Sequence, residues 1–321
     1  MTDDPDAPPP SRRALRWWPL GAATAMLLTV ALCLITSWES IRSGHPAYWV
    51  SLVVAALGAA GMAVWAWRNS PAPERSHGRR ITLRIVLVVA TVVPATALVW
   101  LRPLRPDSVA LRALEDGKGV SVRSTNLVVR MDPENPKTTG LVFYPGAKVD
   151  PRAYAHILRP IAEAGYPVVI IKLPFNLAVL SPDAADTVVG DDDDIDRWVV
   201  GGHSLGGAMA ATYASEEHDE LYGLLLYAAY PASDMSDRTG LTVTSIFGTE
   251  DGLTTVDDIR ASMADLPPDT LFVPVEGAVH AFFGDYGPQA GDGTATVGRG
   301  FAQDQIVDAT LDHMNRVDAN G

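Results

Sequence analysis

The 321-residue chain holds one cysteine, Cys33, and it sits in an apolar run near the N-terminus. From Asp107 onward there is none, which excludes disulfide staples and thiolate chemistry in that region. Positive charge is scarce there too: 14 Lys and Arg stand against 33 Asp and Glu, a net charge of −19. A surface of that sign repels phosphate backbones and anionic headgroups, so no nucleic-acid partner is expected. The P-loop lysine and the G-x-G-x-x-G spacing are also missing, which removes the usual glycine-rich phosphate cradles.

Charge of either sign is absent over Trp17–Trp38 and again over Pro46–Trp67, 22 residues each. A helix needs about 20 apolar residues to cross a hydrocarbon core. A third run, Ile85–Leu101, spans 17 residues, contains Pro94, and has Arg84 at its edge, where the side chain can snorkel to the headgroups. These runs predict transmembrane helices over 17–38, 46–67 and 82–101, in a membrane region covering 1–106. Trp17, Trp18, Trp38, Tyr48, Trp49, Trp65, Trp67 and Trp100 lie near the ends of the runs, where amphipathic rings prefer the interface. Ser11–Trp18 loosely resembles a twin-arginine signal, but no A-x-A-like site follows and two more runs do. Arg12, Arg13 and Arg16 precede the first run, and Arg68, Arg75, Arg79, Arg80 and Arg84 separate the second from the third; Arg42 alone separates the first two. The positive-inside rule then predicts a multi-pass protein of the cell membrane with a cytoplasmic N-terminus and residues 107–321 outside. No acid or base is buried in the runs to suggest an ion path.

Beyond residue 106, short apolar β-branched runs alternate with helix-like segments. Strands are predicted over 127–131, 140–144, 166–173, 198–202, 222–227, 241–247 and 271–275. Helices are predicted over 150–164, 176–189, 205–215, 255–266 and 303–317. All-apolar strands separated by helices indicate an α/β fold with a mostly parallel sheet covered on both faces.

One junction carries chemistry. The run "VVGGHSLGG" places Ser204 between an apolar strand and a small-residue helix, with Gly202 and Gly206 two residues to either side. A nucleophile on so sharp a turn needs that spacing, because the backbones crowd. A serine hydroxyl is weak at neutral pH, so it needs a histidine base and a carboxylate to orient that base. In such a fold both follow the serine, on loops after later strands. "LTVTSIF" runs into Thr249-Glu250-Asp251, and "LFVPVEG" runs into Val279-His280. Asp251 and His280 are the candidates, with Glu250 the rival acid and Asp285 a weaker one. His203 is read as packing in the turn, and the other histidines fall in the membrane region or in helices. Two backbone donors should hold the oxyanion: Leu205 N–H, and Ala147 N–H in the "PGAKVD" turn, where Gly146 lets the chain bend.

Together "FYPGAKVDPRAYA", "GGHSLGGAMAA", "FGTEDG" and "VHAFFGDYG" resemble the short bacterial α/β-hydrolases related to dienelactone-hydrolase-like enzymes. The resemblance covers about two thirds of the chain and matches the motifs at Ser204, Asp251 and His280. It implies an α/β-hydrolase domain over 107–321, an eight-stranded type of core and esterase-like chemistry without a cofactor or metal. Dienelactone hydrolases proper use a cysteine where this chain has Ser204, so their substrate is not carried over, and the N-terminal helices have no counterpart in soluble members.

The expected function is a membrane-anchored serine hydrolase of carboxylic-ester type, acting on a small-molecule or lipid-like ester. The alternatives are an acyltransferase to an envelope acceptor and a non-catalytic binding protein on the same fold. About ten residues separate Tyr230 from Leu241, where many esterases insert a cap. An open site is expected, with the glycine-rich stretch 284–298 as a rim. The acidic run Asp191–Asp194 with Asp196 lacks EF-hand spacing and is read as a solvated loop.

Overall fold

The computed structural model describes residues 17–68, 77–190, 192 and 194–319. Arg12, Arg13, Arg16 and Arg75 of the orientation argument, and Asp191 and Asp193 of the acidic run, lie outside the described residues. The chain divides into two compact units, one of Met1–Arg42 with Ala47–Arg102 and one of Ser43–Pro46 with Pro103–Gly321.

The first unit contains α1 (Trp17–Ser43), α2 (Pro46–Arg68) and α3 (His77–Trp100). All three are long and apolar enough to cross a membrane, the third over Ile81–Trp100. In α1 the buried residues Ala23, Met26, Val30 and Cys33 recur at helical spacing and form one stripe. Outward-facing positions are apolar as well, including Leu28, Ile35, Leu57, Trp67 and Val93. Cys33 Sγ and the Tyr48 hydroxyl both donate to the carbonyl of Leu98, which lies in the last turn of α3 and has no intrahelical partner there.

The second unit is built on one eight-stranded sheet. After the short α4 (Ser108–Arg112) come β1 (Val120–Ser124), β2 (Val128–Pro133) and β3 (Thr139–Tyr144). The chain continues through α5 (Ala155–Glu163), β4 (Val168–Ile171), α6 (Asp186–Val189), β5 (Arg197–His203) and α7 (Leu205–Ser215). It ends with β6 (Leu221–Tyr227), β7 (Thr242–Gly248), α8 (Val256–Ser262), β8 (Leu271–Val275) and α9 (Arg299–Ala319). The spatial order is β1-β2-β4-β3-β5-β6-β7-β8. The β1–β2 and β2–β4 pairs are antiparallel, and every later pair is parallel.

Period-two alternation sorts the strands onto two cores. Leu141, Phe143, Val168, Ile170, Val199 and Leu225 face the side covered by Ile157, Leu158 and Ile161 of α5 and Ile306, Met314 and Val317 of α9. Val142, Tyr144, Val169, Ile171, Val200 and Leu226 face the side covered by Ala210, Ala211, Tyr213 and Ala214 of α7. Each fully buried aliphatic side chain contributes about 1.5–3 kcal/mol, which is why these strands read as unbroken apolar runs.

Two elements differ from expectation. β1 was not foreseen: only Val120 of its five residues is buried, so it carries no apolar run. The helix expected over 176–189 is instead a chain of 3-10 turns, Pro174–Asn176, Ala178–Leu180 and Pro182–Ala185, with one α-turn at α6. Pro174 and Pro182 each supply no backbone donor, and Phe175 and Asn176 both adopt positive φ, so a continuous helix cannot form.

Candidate active site

Ser204 caps α7 directly after β5, with φ 54° and ψ −126°. A non-glycine residue in this region is strained, and the surroundings hold it there. Its N–H donates to Tyr227 O at 3.0 Å. A Cβ on Gly202 would lie 2.5 Å from Gly206 C and O, and one on Gly206 would lie 2.3 Å from the carbonyl oxygens of Tyr144 and Pro145. Gly207, not singled out from sequence, is equally constrained, since its Cβ would meet that of Ala229 at 2.4 Å. Its adjacency to Gly206 was the available signal.

Asp251 follows β7 and His280 follows β8, and the two meet. His280 Nδ1–H donates to Asp251 Oδ2 at 2.8 Å, both side chains being essentially inaccessible. Asp251 Oδ1 accepts from the N–H groups of Leu253 (2.8 Å) and Thr254 (2.7 Å), so its orientation is fixed from both sides. With Nδ1 committed, the lone pair of His280 sits on Nε2, which has no hydrogen-bond partner among the described residues. The His280 ring centroid is 4.5 Å from that of His203, the residue preceding Ser204.

The two rival acids are placed elsewhere. Glu250 is exposed. Asp285 is buried but belongs to another cluster, where it meets His156 Nδ1 at 3.2 Å, Gln303 Nε2 at 3.2 Å and Arg299 at 3.6 Å. Its hydrogen bond raises the His156 pKa above the usual histidine value, against the opposing effect of burial.

Leu205 opens α7, so its N–H falls in the first turn, where the helix offers no acceptor. The Ala147 N–H also has no acceptor among the described residues, while the groups around it are tied down. Gly146 O, in the same peptide unit, accepts from Val149 N at 3.0 Å, and Lys148 N donates to Asn176 O at 2.7 Å. Gly146 N–H donates to the Tyr154 hydroxyl at 2.9 Å, and that hydroxyl donates to His203 Nδ1 at 2.8 Å. His203 therefore does more than pack. It is fully buried, and desolvation, reinforced by the neighbouring His280, holds its pKa well below the usual value and keeps it neutral. Tyr154, missed from sequence, thus joins the turn after β3 to the turn after β5. It lies in the quoted stretch "FYPGAKVDPRAYA", but nothing in its spacing marked its hydroxyl as a link between the two turns.

Among the described residues, no group of three or more His, Cys, Asp or Glu is placed to hold a metal ion. Residues 228–241 link β6 to β7 without an inserted helix, so no cap is built there.

A model of the alpha/beta hydrolase family matches residues 140–304. No curated protein sequence matches the chain. Solved structures similar to it include a dienelactone-hydrolase-like promiscuous phosphotriesterase from metagenomic libraries, with 15% identity, 59% of this chain and 92% of that one covered, and a TM-score of 0.46. Est1E from Butyrivibrio proteoclasticus is 13% identical, with 63% and 99% covered and a TM-score of 0.45. A bacterial membrane phospholipase A, described as a virulence factor, is 16% identical, with 75% and 97% covered and a TM-score of 0.45.

Proposed function

Because the chain belongs to the alpha/beta hydrolase family, we propose that it is a membrane-anchored serine hydrolase that cleaves ester-type bonds through an acyl-enzyme on Ser204. The observation that carries this reading is the buried pair of Asp251 and His280, 2.8 Å apart, with His280 Nε2 lacking a hydrogen-bond partner among the described residues. That is the tautomer a general base requires.

In this mechanism Ser204 Oγ attacks the ester carbonyl carbon as its proton passes to His280 Nε2. Asp251 stabilises the imidazolium and keeps the ring oriented. The tetrahedral oxyanion receives N–H donors from Leu205 and Ala147, which are fixed before the charge develops and so need no reorganisation. As the carbon–oxygen bond breaks, the leaving alkoxide takes the proton from His280. Water then attacks the acyl-enzyme, gives its proton to His280, and releases the carboxylic acid as that proton returns to Ser204. With no helix inserted in residues 228–241, the proposed substrate is a small-molecule or lipid-like ester. In the same proposal residues 1–106 anchor the protein in the cell membrane, with the N-terminus cytoplasmic and the hydrolase domain outside.

Labelling with a fluorophosphonate, read by intact mass and peptide mapping, tests the nucleophile. One phosphonyl group per chain at Ser204, absent from Ser204→Ala and His280→Ala, is expected. A folded protein that takes up no label contradicts the reading and favours a binding protein instead.

A further inference from the structure

The glycine-rich stretch after His280 does not stand clear of the site as a rim. At Asp292 and Gly293 it lies flush against the turn that carries the acid. A Cβ on Gly293 would fall 1.7 Å from Glu250 O, and one on Gly252 would fall 2.7 Å from Gly293 N. Farther along, Thr296 N donates to Gly277 O at 3.1 Å, and Gly277, at φ +74°, packs so closely that a Cβ would meet Thr296 Oγ1 at 2.4 Å. The segment is therefore laced across the backs of two turns, the one after β7 and the one after β8.

Asp292 is where the lacing converges. Its Oδ1 accepts from His280 N at 3.0 Å and from Gly293 N at 2.7 Å, and its Oδ2 accepts from Ala281 N at 2.8 Å. Gly252 N, directly after Asp251, points to the same Oδ1 at 3.4 Å. One carboxylate thus gathers the first two N–H groups of the 3-10 turn His280–Phe283 and the N–H that follows the acid. Charged acceptors make shorter and stronger bonds than neutral ones, and these go to backbone, so they fix the Cα positions from which both side chains project.

We infer that Asp292 is a positioning residue that sets the backbone register of His280 against Asp251, an inference that rests on the Ser204, His280 and Asp251 assignment above. The imidazole must meet Asp251 through Nδ1 and face the nucleophile through Nε2 at the same time. A displacement of about 1 Å at such a centre costs about 100-fold in rate. Asp292 acts through the two turns and does not touch substrate.

The test is fluorophosphonate labelling of the full-length protein with time courses fitted for amplitude and rate, in wild type, Asp292→Ala, Asp292→Asn, Ser204→Ala and His280→Ala. Amplitude counts assembled sites; the rate constant per labelled site reads their geometry. Asp292→Ala is expected to label to near-full amplitude about 100-fold more slowly. Asp292→Asn keeps an oxygen for the His280, Gly293 and Gly252 N–H groups, loses only the acceptor for Ala281, and recovers part of the rate. If both Asp292 variants lose amplitude but keep the wild-type rate per labelled site, the residue is structural, and if they match wild type in both it is dispensable; in either case the inference fails while the serine-hydrolase reading stands. If wild type does not label, or Ser204→Ala labels equally, that reading fails and takes the inference with it.

Discussion

Glu250 and Asp251 are neighbours in sequence, yet one is exposed and the other has both carboxylate oxygens engaged, by His280 and by two backbone N–H groups. On the proposed assignment, Asp251→Asn turns one of those oxygens into a donor facing Nδ1, favours the wrong tautomer, and should slow labelling of Ser204 by about 10⁴-fold. Glu250→Gln should leave the rate unchanged; the reverse pattern, measured in the same assay, would assign the acid to Glu250. A second prediction concerns Tyr154. Phenylalanine there leaves Gly146 N–H and His203 Nδ1 without their partner in a fully buried position, at about 1–3 kcal/mol for each unpaired group. The denaturation midpoint should fall and labelling should slow, because the Gly146–Ala147 peptide loses its anchor. Ser204, Asp251 and His280 could be singled out in sequence as candidates because each follows an apolar strand in the order proposed for such a site. Tyr154 and Asp292 were not legible, since their roles lie in bonds to backbone groups distant in sequence.

At the scale of elements, α9 shows how a terminal helix is fixed to the sheet. His313 on α9 accepts a hydrogen bond at Nδ1 from Thr244 Oγ1 of β7 at 2.8 Å, and Arg316 donates to the same hydroxyl at 2.7 Å. Burial, aided by Arg316, depresses the His313 pKa from 6.5 to about 3. Because the folded value lies below the unfolded one, the unfolded chain takes up the proton first as pH falls. The stability contribution is therefore full above 6.5 and is lost progressively from there toward 3. Fully buried His203 shifts in the same direction. Denaturation measured from pH 6.5 down to about pH 4 should show stability falling by about 1.4 kcal/mol per pH unit for His313, and His313→Gln should flatten the slope. The same scale shows where sequence reading stops. Seven strands announced themselves by apolar runs, whereas β1 is half-solvated and was invisible, and prolines broke the segment before α6 that composition alone made helical.

For the whole molecule, charge is divided as sharply as hydropathy. Net charge from Asp107 onward is −19, and the three long apolar helices all lie before it. The topology proposed from arginine placement makes a direct prediction: protease added to intact spheroplasts should digest the hydrolase domain and spare the helices, and protection of the domain until lysis would reverse the orientation. The long apolar helices and the α/β fold were legible in sequence, because a run without charge and an alternation of strand and helix are long-range signals that single residues do not blur. The order of the strands has one more consequence. The proposed nucleophile leaves β5, the proposed acid β7 and the proposed base β8, which lies at the edge of the sheet and follows the other seven strands among the described residues. On that assignment the base is made after the nucleophile and the acid, and Ser204 is not activated until β8 has docked at the edge of the sheet. On the same proposal, hydrolytic competence would double as a readout of folding: a chain whose β8 has not yet docked would be inert toward esters.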